Sequence, residues 1–432
     1  MSRWKSRATA RLAKWLEPEL FQPFVFGVLI SLSLSEFVRG ALTLSMLPTY
    51  GRTVLGFAVE WTALALSIHY LVDNVLRSPV GWIIDRLGQR WVLITGFVIA
   101  AAAVGLMMTA RSIASLLASL ALYGVGVTPM WPAALSGISQ ATPDRKRASF
   151  MGYMYIFWLT GTGLGPVLIN FVIGGTYRAA FLLLLVVLAI AFGLAYLLVR
   201  DPDPTTASEV RTQRRLHMNK AYWQALWTNV REVAFLFPGM FAQTFAVASL
   251  IPVLSLYATL VLHVSGAVYS SILVFGGAFT AGLLIPAGRL VDRFGPRRFL
   301  VVAFLSVGVV LGLYPLYHTL LVTYVVVALF GVAYAFILPA WNTVLDRSID
   351  PDKKATLWGV FMTVEGLGSA MGPYLGGLVW DRVSPEAPFV VSAAVIFIMG
   401  LLYVKLPIDR DRNHRTQDTR VPTRAIGRRQ KV

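Results

Sequence analysis

The sequence predicts an all-α polytopic membrane protein: twelve transmembrane helices in two pseudo-symmetric six-helix halves. Three observations lead there. Of 432 residues, 56% are hydrophobic and only 14% are charged, which is too apolar for a soluble chain. The apolar residues form long continuous runs rather than alternating ten-residue segments, the pattern of spanning helices and not of a β-barrel. A set of polar, proline and glycine positions also recurs at one fixed offset of 207 residues.

The elements follow in order. Residues 1–20 place Trp4, Ala8, Leu12 and Trp15 on one helical face and Arg3, Arg7, Arg11 and Lys14 elsewhere. This pattern fits an amphipathic helix lying on an anionic leaflet, and equally a frayed basic tail. Apolar runs at 21–46, 54–79, 91–108, 113–139, 148–173 and 179–199 make the first half, 21–199. Runs at 234–260, 266–288, 299–317, 320–345, 355–379 and 387–405 make the second, 234–405. Each run is long enough to cross about 30 Å of hydrocarbon. The linker 200–233 is polar, with Tyr222, Trp223, Leu226, Trp227 and Val230 spaced as an interfacial helix. Residues 406–432 form a basic tail.

The formal charge of +17 does not imply nucleic acid, because no basic binding module stands out. The basic residues instead follow the positive-inside rule. One set of loops holds only Arg52, Arg111, Arg178 and Arg382, while the other holds Arg145-Lys146-Arg147, Arg214-Arg215, Arg297-Arg298 and Lys353-Lys354. Both termini are therefore expected in the cytoplasm. With no cysteine, disulfides, thiol catalysis and Cys-ligated metals are excluded. No metal site and no cofactor are expected.

The strongest repeat is a loop. Gly81, Asp85, Arg86, Gly88 and Arg90 recur as Gly288, Asp292, Arg293, Gly295 and Arg297. The same offset pairs Pro132 with Pro339, Gly152 with Gly359, and Gly165-Pro166 with Gly372-Pro373. A duplicated six-helix unit is the layout of parallel-repeat secondary transporters. The paired loops resemble the signature of the major facilitator superfamily. There the loop acts as a cytoplasmic latch, its carboxylate set against the N-terminal end of the eleventh helix. The stretches around Gly165-Pro166 and Gly372-Pro373 read as close helix packing with a bend. They also resemble the fifth-helix signature of proton-driven exporters.

No nucleotide-binding loop occurs and no nucleophile–base set appears, so the chain is expected to be a gradient-driven transporter rather than an enzyme. The proton-coupling candidates are then the titratable groups inside spans: Glu36, Asp73, His69 and Glu365. Glu36 and Arg39 share a helical face, as do His69 and Asp73. A static ion pair is the alternative for the first two, and membership of the latch the alternative for Asp73. Trp131 and Trp158 offer ring faces for a sugar, or ordinary packing. At the offset of 207, Glu36 maps to Gln243, Arg39 to Ala246, His69 to Gly276, Asp73 to Thr280 and Trp131 to Leu338, while Trp158 faces Glu365. The first half is thus charged where the second is nearly apolar, which suits a substrate with a polar head and greasy tails.

The segments "SEFVRG", "LSIHYLVDN", "TPMWP", "MGYMYIFWLTGTGLG", "LPAWNTVL" and "TLWGVFMTVEGLGSAMGPYLGGL" resemble the lipoteichoic-acid glycolipid flippases of Gram-positive bacteria. The resemblance implies a monomeric, proton-coupled transporter in a bacterial plasma membrane. Its cargo would be a diglucosyl-diacylglycerol anchor, moved from the inner to the outer leaflet. The sugar head would sit among Glu36, Arg39, Asp73, Trp131 and Trp158, with acyl chains along the second half. Glu365 is not part of the resemblance. A proton/drug antiporter for amphipathic compounds is the competing reading.

Overall fold

The computed structural model describes residues 18–141, 147–174, 176–200, 233–348 and 354–405, with Trp227, Val230 and Arg231 besides. The expected N-terminal amphipathic helix, most of the linker helix and the basic tail lie outside the described residues.

Twelve helices cover almost all of the described chain. In order they are α1 (Pro23–Thr53), α2 (Val59–Leu87), α3 (Gln89–Thr109), α4 (Ile113–Val127, resumed at Met130–Ala141), α5 (Arg147–Ile173) and α6 (Tyr177–Leu198). Then come α7 (Ala234–Val261), α8 (Gly266–Phe294), α9 (Pro296–Leu316), α10 (Leu320–Ser348), α11 (Lys354–Arg382) and α12 (Ala387–Lys405). Among the described residues, ten helices are long and apolar enough to cross a membrane on length and composition alone. The other two, α2 and α11, are 29 residues each. They carry Glu60, His69, Asp73, Arg77 and Glu365, and they pack on each other rather than on lipid alone. Gly377 of α11 sits on Val59 and Ala63 of α2, and Gly366 on Asn74. Buried apolar side chains form two clusters, one drawn from Leu20–Val199 and one from Val233–Tyr403 with Val59.

The repeat is visible in backbone detail. Gly88 ends α2 at φ 88° and Gly295 ends α8 at φ 86°, each a single residue between two helices. Only glycine takes this conformation without strain. Gly81 and Gly288 were expected in the turn as well, but they lie inside α2 and α8, and nothing stands within 4 Å of where a Gly81 Cβ would be. Gly88→Ala should therefore cost about 1 kcal/mol or more, while Gly81→Ala leaves the melting temperature of the purified protein nearly unchanged. Matched thermal unfolding of the two variants checks this.

The glycine stripes pack helix on helix, as the sequence indicates. Gly161 and Gly165 of α5 lie on the backbone of α1 at Ser33 and Phe37, and Gly368 and Gly372 of α11 on α7 at Phe241 and Phe245. These contacts correct the repeat frame. Ser33 pairs with Phe241 and Phe37 with Phe245, an offset of 208. Elsewhere the offset stays 207, with Gly124 on His69 and Val72 matched by Gly331 on Gly276 and Phe279. The counterpart of Glu36 is thus Thr244 rather than Gln243, and that of Arg39 is Val247 rather than Ala246. The polarity contrast survives the correction.

The contacts between the two six-helix groups gather toward the end remote from the Gly88 and Gly295 turns. Pro48 has no N–H to offer the carbonyl one turn back, and that carbonyl, Leu44 O, accepts the Tyr269 hydroxyl of α8 at 2.9 Å. Asn170 Nδ2 donates to Ser270 Oγ at 3.1 Å, which donates to Val167 O at 3.0 Å. Between α2 and α11, Tyr374 N–H donates to Ser67 Oγ at 2.9 Å, Glu60 N–H to Asp381 at 2.7 Å, and Arg382 pairs with Glu60 at 3.3 Å.

Candidate functional site

A row of alternating charges crosses the interior of the first six-helix group. Glu36 and Arg39 stand one turn apart on α1, with Arg39 Nη2 3.4 Å from Glu36 Oε1. Arg39 Nη1 reaches across to Asp73 Oδ2 on α2 at 3.3 Å, and Arg77 Nη2, one turn further along α2, holds the same oxygen at 2.9 Å. Glu36, Arg39 and Asp73 are all buried, at 2%, 8% and 1% exposure. Burial of single charges is prohibitive without partners. Here two carboxylates and two guanidinium groups alternate, so the row is neutral as a whole.

Glu36 occupies one end of that row and is also the carboxylate with neutral donors. Trp131 Nε1–H donates to Glu36 Oε1 at 3.1 Å, and Thr162 Oγ1–H to Oε2 at 3.3 Å. Trp131 is held where α4 resumes after the Thr128–Pro129 break, and Thr162 sits one turn beyond Trp158 on α5. The indoles of Trp131 and Trp158 meet edge-to-face at 5.9 Å, and Tyr155 closes the triad at 6.3 and 6.2 Å. Arg39 Nε makes no hydrogen bond to the described residues. The five residues expected to hold a head group therefore do converge.

The other sequence candidates divide. His69 shares a face with Asp73 but does not bond it: its ring lies between Tyr70 and Tyr123 at 5.0 and 5.1 Å, and neither nitrogen has a hydrogen-bond partner among the described residues. Asp73 joins Glu36 and Arg39 rather than the loop. Glu365, on α11 beside the Gly366–Asn74 contact, is close enough to Arg77, Tyr155 and Tyr334 to interact electrostatically. It thus lies nearest the Arg77 end of the charge row, on the second group.

Of the loop residues, Asp85 and Arg86 are exposed at the end of α2, and Asp292 and Arg293 at the end of α8. Arg86 lies over Trp82 of its own helix at 3.7 Å. Arg90 lies over the Tyr196 ring of α6 at 4.5 Å. Arg297 donates to the last carbonyls of α12, Val404 O at 2.7 Å and Tyr403 O at 3.4 Å, a favoured place for a cation. These two arginines thus pin each loop to its own group. The side chains of the first turn of α11, the expected latch partner of Asp85, lie outside the described residues.

Sequence reasoning missed Arg77, Thr162 and Tyr155. Arg77 carried a signal, since His69, Asp73 and Arg77 follow one another at one-turn spacing on α2. Apart from Glu365, the second group offers mainly apolar surfaces. A cleft between α7, α9, α10 and α12 is lined by Ala246, Val247, Leu250, Phe304, Val307 and Ile337, with Gln243 and Tyr334 its polar members. An adjoining apolar cleft of about 330 Å³ lies between α9 and α10.

Comparison with known proteins fits this geometry. The sequence profile described as Major Facilitator Superfamily matches residues 24–373 and, again, 236–430. The chain belongs to this superfamily. Among curated relatives, it is 32% identical over 389 residues to the "Proton-coupled antiporter flippase LtaA" of Staphylococcus aureus strain N315, covering 87% of this chain and 93% of that protein. The protein of the same name from strain USA300 matches to the same extent. Among solved structures, the nucleoside transporter NupG has a TM-score of 0.72 at 14% identity, covering 88% of this chain and 98% of that one. A D-xylose–proton symporter has 0.70 at 12% identity, covering 88% and 97%. At such identities these two establish the fold alone. This superfamily member is a membrane protein, and its twelve helices take the arrangement of those transporters.

Proposed function

We propose that this chain is a proton-coupled antiporter that moves a glycolipid of diglucosyl-diacylglycerol type from the inner to the outer leaflet by alternating access. One observation carries the reading: a buried, neutral row of charges with two indoles in the first half, set against an apolar second half. A neutral disaccharide offers many hydroxyl groups, which donate to Glu36 and accept from Arg39 Nε, while its ring faces pack on Trp131 and Trp158. The acyl chains follow the apolar clefts of the second half. The relative named as a flippase supports the same assignment.

Coupling follows from the row's order. When Glu36 takes a proton, Arg39 still keeps Asp73, so the row changes charge at one end without breaking in the middle. Sugar hydroxyls and a proton compete for the same carboxylate, which is the requirement for antiport. Asp73, His69 and Glu365 are the remaining titratable members, with Glu365 placed to sense Arg77 from the other half. With the basic loops and both termini in the cytoplasm, the closed end faces outward. The chain works as a monomer on this reading, since both halves of the cavity come from one copy.

The test is transport of a fluorescent diglucosyl lipid in proteoliposomes with and without an imposed pH gradient. Gradient-accelerated appearance of the lipid in the opposite leaflet is expected. No movement of this lipid, together with export of cationic dyes, would replace this reading with the drug antiporter, for which Glu365 would be the anionic anchor.

A further inference from the structure

Four of the helices that begin at the closed end, α4, α6, α8 and α10, start in one way, whereas α2 and α12 have no such cap from their own sequence. Ser112 accepts from Ser115 N–H at the start of α4, Thr176 from Ala179 N–H at α6, Ser265 from Val268 N–H at α8, and Thr319 from Val322 N–H at α10. Each is a side-chain cap supplied by the helix's own sequence. The residue before α2 is Ala58, which has no capping atom, although its counterpart 207 residues on is the capping Ser265. The missing acceptor comes from the other half. Asp381, at the end of α11, accepts the Glu60 N–H in the first turn of α2 at 2.7 Å. Beside it Arg382 pairs with the Glu60 carboxylate at 3.3 Å. Asp381 is not part of the repeat, because its counterpart in the first half is Gly174.

A carboxylate at a helix N-terminus is favoured twice, by the unpaired N–H groups and by the helix dipole. Arg382 is 69% exposed, so its ion pair adds little. The cap is the stronger contact. We infer that Asp381 is a removable cap that holds the outward end shut: α2 omits its own N-cap, so that its Glu60 N–H has a side-chain acceptor only while α11 stands against it. Opening that end strips the cap from α2, and closing restores it. The arrangement mirrors the latch expected at the other end, where the C-terminal Asp85 of α2 would face the start of α11. The inference rests on alternating access as proposed above, but not on the identity of the cargo.

Spin-label distances test it without any substrate, and the chain's lack of cysteine gives a clean background. Labels at Val54→Cys and Leu316→Cys, both exposed at the closed end, report its opening. Asp381→Ala should raise the ratio of open to closed populations on the order of fivefold, the effect of losing one N-cap. Ala58→Ser, which gives α2 a cap of its own, should raise it in the same direction while leaving every existing contact in place. It serves if Asp381→Ala is recovered poorly. Ser265→Ala removes a cap that α8 draws from its own sequence and not from the other half, so it should lower the melting temperature without shifting the distances. Distances unchanged by both Asp381→Ala and Ala58→Ser, or shifted equally by Ser265→Ala, would overturn the inference.

Discussion

Glu36→Gln should abolish uphill, gradient-driven movement of the lipid while leaving exchange of lipid between leaflets measurable. The amide keeps one acceptor oxygen, for Trp131, and turns an N–H toward the Thr162 hydroxyl, which can accept it, but it cannot carry the proton. It also removes one of the two carboxylates that face Arg39. Loss of a hydrogen bond to a charged group costs about 1.5–3 kcal/mol, so head-group affinity should fall roughly ten- to a hundredfold. Parallel measurement of exchange and of accumulation under a pH gradient separates the two effects. Accumulation like that of the unmodified protein would leave Glu36–Arg39 as a static ion pair only.

The second large effect is on folding. Arg39→Met leaves Glu36 with two neutral donors and no cation, and leaves Asp73 with Arg77 alone. Removing one partner of a buried ion pair costs about 3–5 kcal/mol, enough to unfold a marginal protein. Adding Glu36→Gln to Arg39→Met removes the stranded charge and should recover most of the loss. The yield and melting temperature of the single and double variants check this. A double variant no more stable than Arg39→Met alone would mean that Glu36 and Arg39 are not coupled.

How much of this could be read in advance varies with distance along the chain. Glu36 with Arg39, and the spacing of Asp73 from Arg77, are set by one helical turn and are legible from spacing alone. The bridge from Arg39 to Asp73 spans 34 residues and that from Trp131 to Glu36 spans 95. Such contacts depend on how helices are packed, which no local pattern encodes. The duplicated loops were legible because the Gly88 and Gly295 turns demand glycine, but the frame of the first helix was not. A slip of one residue rotates a helix face by about 100°, and only the seat of Gly161 and Gly165 on α1, against that of Gly368 and Gly372 on α7, reveals the shift to 208. His69 and Asp73 share a face as their spacing indicates, but that spacing does not show that Asp73 is held by Arg39 and Arg77 while the His69 nitrogens bond nothing among the described residues.

The central claim is that a proton and the sugar head compete for Glu36. Proton release on adding diglucosyl lipid to the purified protein in weakly buffered solution tests it most directly. The account predicts release from the unmodified protein that grows as the starting pH is lowered and more of Glu36 holds a proton, and none from Glu36→Gln. Lipid binding with no proton released by the unmodified protein at any starting pH, or with equal release from both, would contradict it.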